Sequence, residues 1–129
     1  MPTTTSSVDI RETANLIGSD KVESTAVYGT DRSKIGSIQR VMIDKLTGNV
    51  AYAVMSFGGF MGMGEDYYPI PWSMLEYDTS LEGYRIRLTK EQIERAPKYA
   101  ESTGWNWNRE NDRRVYDYYR TKPYWNELT

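Results

Sequence analysis

The sequence predicts a mainly β fold, in which a small and strongly bent antiparallel sheet is followed by a short helix and an aromatic-rich C-terminal extension. Two neighbouring segments rich in β-branched and aromatic residues flank a turn at 46–49. A glycine-rich run at 58–65 leads into a strand that contains two prolines. Residues 84–88 alternate between apolar and charged side chains, as in a half-buried strand.

The first two strands are predicted from alternation and turn residues. Val22 to Val27 alternates along its length and meets a turn at 28–31 that contains Gly and Asp. A second strand follows over 34–44. The break at 46–49 then supplies turn chemistry, and 50–57 is an almost continuous apolar strand. We expect the last two strands to pair as a hairpin at the centre of the sheet.

The second strand carries apolar side chains on both of its faces. If its pleat is regular, Ile35, Val41 and Ile43 point to one face and Ile38 and Met42 to the other. Such a strand is either curled into a barrel or covered on two sides.

Two further strands are predicted after the glycine-rich run. Pro69 and Pro71 cannot donate to a ladder, which restricts 67–72 to an edge, a bulge or a corner. In the last strand, Tyr84, Ile86 and Leu88 share one face, and two arginines lie on the other. This strand is predicted to be half buried.

A capping box marks the start of a short helix. The Thr89 hydroxyl can accept from the Gln92 amide while the Gln92 side chain reaches back to the Thr89 amide. Leu88 and Ile93 take the two staple positions around it. The helix is expected to begin at Lys90 and to stop before Pro97.

Composition divides the chain into a flexible lead (1–13), a β domain (14–98) and a C-terminal extension (99–129). The extension is rich in aromatic residues, and 109–120 is predicted to be helical with Val115, Tyr118 and Tyr119 at helical spacing. Two arrangements remain open, because the extension can pack onto its own sheet or cross to a second copy.

The composition excludes several function classes. The chain contains neither Cys nor His, which removes the usual ligands for zinc and haem and the usual nucleophile and base pairs, so we expect no metal and no cofactor. Its formal net charge is -2 with a pI near 5.2. That charge does not favour binding to phosphate, so no nucleic-acid partner is expected.

The expected location is the cytoplasm, without membrane insertion. The N-terminus lacks the basic start and apolar core of a secretory signal. The uncharged stretch at 50–64 is too short and too rich in glycine to span a bilayer. With no cysteine, nothing calls for an oxidising compartment.

Several segments together resemble the PRC-barrel family over about residues 14–98. They are Leu16-Ile17-Gly18-Ser19, Gly36-Ser37-Ile38, the Asp44–Tyr52 hairpin, Gly58 to Glu65, Pro69-Ile70-Pro71-Trp72, and Lys90 to Pro97. The family is named after the cytoplasmic domain of the photosynthetic reaction-centre H subunit, and the C-terminal domain of the ribosome-maturation factor RimM is related to it. The resemblance implies a bent, barrel-like sheet that serves as a docking module for proteins. The chain shows neither a membrane helix before the barrel nor an RNA-processing domain, so neither photosynthetic nor ribosomal function is implied.

The expected partner-binding residues lie in the glycine-rich run and in the extension. Gly58 to Gly64 lacks the lysine and the following helix of a phosphate-binding loop, which favours a simple turn. Its apolar residues either contact a partner or fold inward to plug the barrel end, and both readings stay open. The partner-binding residues predicted from the sequence are Phe60, Met61, Met63, Trp105, Trp107, Tyr119 and Trp125.

Three function hypotheses follow from the sequence. The leading one is a non-enzymatic, homodimeric adaptor that binds protein through its sheet edge, the glycine-rich loop and the aromatic extension. The second is a small-ligand-binding barrel whose cavity is lined by Tyr52, Trp72 and Tyr84. The third is an acid–base enzyme, whose candidate carboxylates are Glu65 and Asp66, Glu76 and Asp78, and Asp31. It is disfavoured because acids of this kind are usually solvated surface residues.

Overall fold

The computed structural model describes residues 11–57 and 66–125, and the structural statements below concern those residues. Strands dominate, and helices are few and short. The elements are α1 (Ser19–Val22), β1 (Ala26–Tyr28), β2 (Lys34–Ile43), β3 (Val50–Phe57), β4 (Asp66–Pro71), a 3-10 turn (Trp72–Met74), β5 (Leu75–Asp78), β6 (Gly83–Ile86), α2 (Lys90–Glu94), β7 (Tyr99–Ala100) and α3 (Arg109–Tyr119).

The strands form one seven-stranded sheet in the order β5-β6-β1-β2-β3-β4-β7. Neighbouring strands are antiparallel except β1 and β6, which run parallel. Among the described residues, β5 and β7 end the sheet and do not pair with each other, so the sheet is open. The mainly β fold predicted from the sequence is confirmed, with this one parallel pair as an exception.

The β2–β3 hairpin lies at the centre of the sheet, as predicted. Its turn is held by Asp44, whose carboxylate accepts from the Leu46 amide at 3.1 Å and from the Thr47 hydroxyl at 3.0 Å. Gly48 takes a positive φ of 82°, which glycine adopts without strain. The backbone closes the same turn, since the Asp44 amide donates to the Asn49 carbonyl at 2.8 Å.

The pleat of β2 is not regular, which corrects the predicted assignment of its faces. Ile38 lies opposite Met55 and Val41 lies opposite Ala53, with a bulge between these two pairs. Because Met55 and Ala53 are two residues apart on β3, Ile38 and Val41 share a face instead of pointing apart. A bulge inserts one extra residue and inverts the alternation beyond it, and sequence alternation alone does not reveal it.

The strand predicted over 22–27 is mostly absent. Residues 19–22 form the single turn of α1, and only Ala26–Tyr28 belongs to the sheet. Between them Ser24 has a positive φ of 75°, which interrupts an extended chain. The alternation of side chains along 22–27 therefore does not correspond to a strand over its whole length.

The proline-containing strand lies near an edge and ends at a corner, as predicted. Strand β4 pairs with β3 along its length, but with β7 only at Asp66 and Tyr67. Both prolines therefore fall where no further strand needs their missing N–H groups. The chain then turns through the 3-10 segment into β5 at the opposite side of the sheet.

The predictions for the end of the β domain are confirmed. Tyr84 and Ile86 are buried in β6, whereas Arg87 is exposed. The Thr89 capping box is complete: the Gln92 amide donates to the Thr89 hydroxyl at 3.1 Å, and the Thr89 amide donates to the Gln92 side chain at 2.8 Å. Helix α2 spans Lys90–Glu94 and ends before Pro97.

The C-terminal extension packs onto the sheet of its own chain. Helix α3 begins at the cap residue Asn108, whose side chain accepts from the Asn111 amide at 2.8 Å. It packs against β4, and its Val115, Tyr116 and Tyr119 belong to the same buried cluster as the strands. The predicted helix is confirmed, but Tyr116 is buried where the predicted face had Tyr118, which stays partly exposed.

Candidate interaction surface

Large apolar side chains remain exposed at a small number of positions, and most of them fall in two places. One group lies at the turn end of the β2–β3 hairpin. The other lies near the N-terminal segment and β5, and Tyr118 stands apart on α3. Among the described residues the exposed set is Leu16, Ile43, Leu46, Tyr77, Trp107 and Tyr118.

We call Ile43, Leu46 and Trp107 the hairpin-end surface. Ile43 ends β2, and Leu46 lies in the turn with 96% of its surface exposed. Trp107 joins them from the extension because its ring lies 5.4 Å from that of Tyr52, which is near the start of β3. It is still 39% exposed, which is unusual for so large an apolar side chain.

A band of aromatic rings supports the hairpin-end surface from behind. It runs from β4 through β7 and the segment before α3 to β3, each ring in contact with the next. The centroid distances are 5.5 Å for Tyr67–Tyr99, 5.8 Å for Tyr99–Trp105, 6.4 Å for Trp105–Trp107 and 5.4 Å for Trp107–Tyr52. Packing of this kind holds Trp107 in place before any partner arrives.

A buried polar pair fixes the extension to the sheet. The Tyr52 hydroxyl donates to the Asp112 carboxylate at 2.6 Å, and Arg109 lies 3.4 Å from the same carboxylate group. Burial, with the Asp112 hydrogen bond and charge in addition, raises the pKa of Tyr52. One helical turn further on, the Tyr116 hydroxyl donates to the Ala51 carbonyl at 2.7 Å. These contacts join α3 to β3.

Cationic side chains cover the end of the extension. The Arg109 guanidinium lies 4.1 Å from the centre of the Trp125 ring, and Arg113 lies 5.8 Å from the same ring. Arg114 lies 5.7 Å from the Trp105 ring centre. Since cation–π contacts strengthen when they are shielded from water, they favour the packed position of the extension.

The structure separates the residues predicted to bind partners. Trp105 and Trp125 are half-buried against the core, and Trp107 is the most exposed of the predicted rings that the structure describes. Tyr119 is buried, and within the described residues its hydroxyl has no hydrogen-bond partner. Phe60, Met61 and Met63 lie outside the described residues.

The carboxylates considered for catalysis do not converge. Asp31 accepts from Ser33, and Asp78 from Ser80, and these hydrogen bonds lower the pKa of each acid. Asp66 pairs with Lys98 at 3.5 Å on another part of the sheet. Asp31 and Asp78 therefore hold turns and Asp66 forms a surface ion pair, while Glu65 lies outside the described residues.

A cavity of about 540 Å³ lies between the N-terminal segment and strands β5 and β6. Of the three residues predicted to line a ligand cavity, Tyr84 does so. Trp72 packs beside it at 5.3 Å between ring centres, and Tyr52 lies in the aromatic contacts below α3. The structure thus brings two of the three together and places the third elsewhere.

Two further observations limit the chemistry. Over residues 11–57 and 66–125, no group of three or more acidic side chains is arranged to hold a metal ion. In the same part of the chain no helix has the length and apolar character needed to cross a membrane.

Sequence reasoning missed Ile43 and Leu46 as surface residues and Asp112 and Tyr116 as buried ones. The turn residues around Leu46 gave a usable signal, because an apolar side chain in a tight turn has little to pack against. Asp112 gave no signal of burial in the sequence. A charged residue is almost never buried unless it is paired, and its partner Tyr52 is distant along the chain.

A family model of the PRC-barrel domain matches residues 15–93, which is more than half of the 129-residue chain. The match includes all strands from β1 to β6 and reaches into α2. The aromatic extension lies beyond it. No curated protein matches the sequence closely enough to count as a relative.

Proposed function

The chain belongs to the PRC-barrel family, and we propose that it is a non-enzymatic docking module that associates with a second copy of itself through the hairpin-end surface. Family membership supports a protein-interaction module, and the self-association is our addition to it. The sequence contains no cysteine, which supports the cytoplasmic location that is part of this proposal.

The exposure of Ile43 and Leu46 at the turn end of the hairpin, with Trp107 exposed near Tyr52 of the same hairpin, carries the proposal. Isolated apolar residues on a surface need no explanation, but we infer that these three together form an apolar patch. Aromatic residues are enriched in protein interfaces, where a large and rigid ring buries much area at low entropic cost. The aromatic band keeps Trp107 positioned for such a contact.

Charge favours a second copy as the occupant. Asp44 and Lys45 stand next to each other at the edge of the patch and carry opposite charges. In a two-fold arrangement the same patch meets itself, so that the lysine of one copy can face the aspartate of the other. The small net charge of -2 leaves little repulsion between copies.

The sheet edges support association less well than the hairpin end. Strand β7 has two residues, and β5 has four. Glu76 on β5 forms ion pairs with Arg85 and Arg87, at 3.9 and 3.5 Å. Short and charged edges disfavour pairing with another strand. We therefore assign the contact to the hairpin end and not to the edge.

Replacement of Leu46 by Ser tests the proposal. Because Leu46 is almost fully exposed, we expect a change in the free energy of unfolding below about 0.5 kcal/mol. We expect the self-association constant, measured by sedimentation equilibrium at micromolar concentrations, to fall about tenfold or more.

The matched control is Leu16→Ser, which makes the same change at a position 73% exposed on the other side of the sheet. This control should leave the association constant unchanged. A wild-type chain that stays monomeric, or a Leu16→Ser variant that dissociates as much as Leu46→Ser, would refute the proposed surface.

A further inference from the structure

The cavity beneath the N-terminal segment has the size and lining of a small-molecule site. Its volume of about 540 Å³ falls within the range of ligand pockets, roughly 300–1,000 Å³. Tyr77 and Tyr84 line it from β5 and β6, with ring centres 5.2 Å apart, and Leu16 and Ile17 line it from the opposite side. It lies far along the sheet from the hairpin-end surface, on the β5–β6 side.

The wall formed by the N-terminal segment is a defined turn. The Thr13 hydroxyl accepts from the amides of Asn15 and Leu16, at 3.2 and 2.9 Å. Glu12 and Ile17 form a bridge across the turn. A cavity with such a wall is largely formed before a ligand enters, which reduces the entropic cost of binding.

The polar groups in the lining have an excess of negative charge. Glu12 pairs with Lys21 at 2.9 Å, so these two charges offset each other. Glu82 also lines the cavity, and within the described residues it has no ion-pair partner. One carboxylate therefore remains to balance a positive charge on a ligand.

We propose that this cavity binds a small organic cation of the alkylammonium class, held by the rings of Tyr77 and Tyr84 and by the carboxylate of Glu82. Aromatic rings attract cations through their negative faces, and a nearby carboxylate adds a direct charge interaction. The neutral isostere of such a cation would gain the apolar contacts alone.

The protonation state of the two tyrosines fits this role. Partial burial, followed by the charge and hydrogen bond of Glu12, raises the pKa of Tyr77. Burial also raises the pKa of Tyr84. Both rings therefore stay neutral at physiological pH. The Tyr77 hydroxyl already donates to Glu12, whereas the Tyr84 hydroxyl keeps its proton as a donor for a polar part of the ligand.

Choline and 3,3-dimethylbutan-1-ol, which has carbon in place of the charged nitrogen, form a matched pair of probes. Titration of the full ¹⁵N-labelled chain with each probe, followed by NMR, reports binding at the cavity. We expect choline to shift the backbone amides of residues 77–84 saturably, and to bind about fivefold more tightly than the alcohol.

Two variants locate the interaction. Glu82→Gln keeps the shape of the side chain and should weaken choline binding about threefold, with no effect on the alcohol. Tyr77→Leu should weaken choline binding about fivefold. The control is Glu91→Gln, which makes the same charge change on the exposed face of α2 and should leave binding unchanged.

Equal binding of choline and the alcohol would overturn the proposal, because it would show a merely apolar cavity. If neither probe shifts the amides of residues 77–84 saturably, the proposal is overturned as well. So would equal losses in Glu82→Gln and Glu91→Gln, since charge at the cavity would then have no special role. Leu46→Ser should bind choline like the wild type, which keeps this test separate from that of self-association.

Discussion

Tyrosine side chains have different surroundings toward the two ends of the strand order, which we call the β3–β4 side and the β5–β6 side. On the β3–β4 side, helix α3 covers Tyr52, and the Tyr116 ring lies 5.3 Å from it in a closed aromatic cluster. On the β5–β6 side the N-terminal segment leaves a cavity of about 540 Å³, which is lined by the buried Tyr84 and by Tyr77, whose surface is 37% exposed. Tyr52 and Tyr116 are therefore packing elements, whereas Tyr77 offers an available surface.

The comparison shows that the extension decides what each side can do. Where it packs, the hydroxyl groups of Tyr52 and Tyr116 are used to join β3 to α3. Where it is absent, Tyr77 keeps 37% of its surface exposed. A ring that is fully packed supports stability, whereas a ring that is left open can bind.

The largest expected effect comes from removing one ring on each side. Tyr116→Ala should lower the free energy of unfolding by about 4 kcal/mol, because a ring only 3% exposed leaves a cavity when truncated. Tyr77→Ala should lower it by less than about 1.5 kcal/mol, because much of its surface is already in water. Urea unfolding at constant protein concentration measures both, and equal losses would break the comparison.

Alkaline pH provides a second test on the wild-type chain. Burial raises the pKa of Tyr52, Tyr116 and Tyr119 above the value of an unfolded chain, about 10. A raised pKa in the folded state means that stability is complete below pH 10 and falls above it, since the unfolded chain then loses protons more readily.

These three tyrosines should together lower the free energy of unfolding by about 3 kcal/mol between pH 10 and pH 11, and the raised pKa values of Tyr77 and Tyr84 add to that fall. Urea unfolding at several pH values measures the slope. Tyr116→Phe removes one of these groups and should reduce the fall by about 1 kcal/mol. A stability that stays constant to pH 11 would contradict the burial of these hydroxyl groups.

The smallest expected effect concerns the polar anchor. Tyr52→Phe removes the hydroxyl that donates to Asp112 and leaves a buried carboxylate with one donor fewer, so we expect a loss of about 2 kcal/mol. The control is Tyr118→Phe, whose hydroxyl donates to the Gln92 carbonyl at the surface and should cost less than about 1 kcal/mol. Equal costs would show that the anchor is no stronger than a surface contact.

Much of the fold could be predicted because its signals are local. The Thr89 capping box depends on residues three apart, and the β2–β3 hairpin depends on a turn between two apolar runs. The faces of β2 could not be predicted, because a bulge shifts Ile38 and Val41 onto one face. A bulge is defined by how two strands pair, so the sequence of one strand alone does not predict it.

The candidate surfaces were predicted only in part. Trp107 was proposed as a contact residue, and the structure leaves it exposed. Tyr119 was proposed with it, yet its ring is buried among neighbours from the strands and helices. The sequence shows that aromatic residues are concentrated in the extension, but whether each one faces the sheet or the solvent depends on how α3 is rotated against β4.

The sequence by itself determined the β class, the central hairpin, the capped helix after β6 and the family, because each follows from short-range patterns of side chains. Only the tertiary structure decided what each buried tyrosine packs against. Tyr52 and Tyr84 look alike in the sequence, each in an apolar strand, but one lies beneath α3 and the other beside a cavity. The physical reason is that burial depends on residues distant along the chain, such as Asp112 and Trp107 for Tyr52, which the local pattern around either tyrosine does not contain.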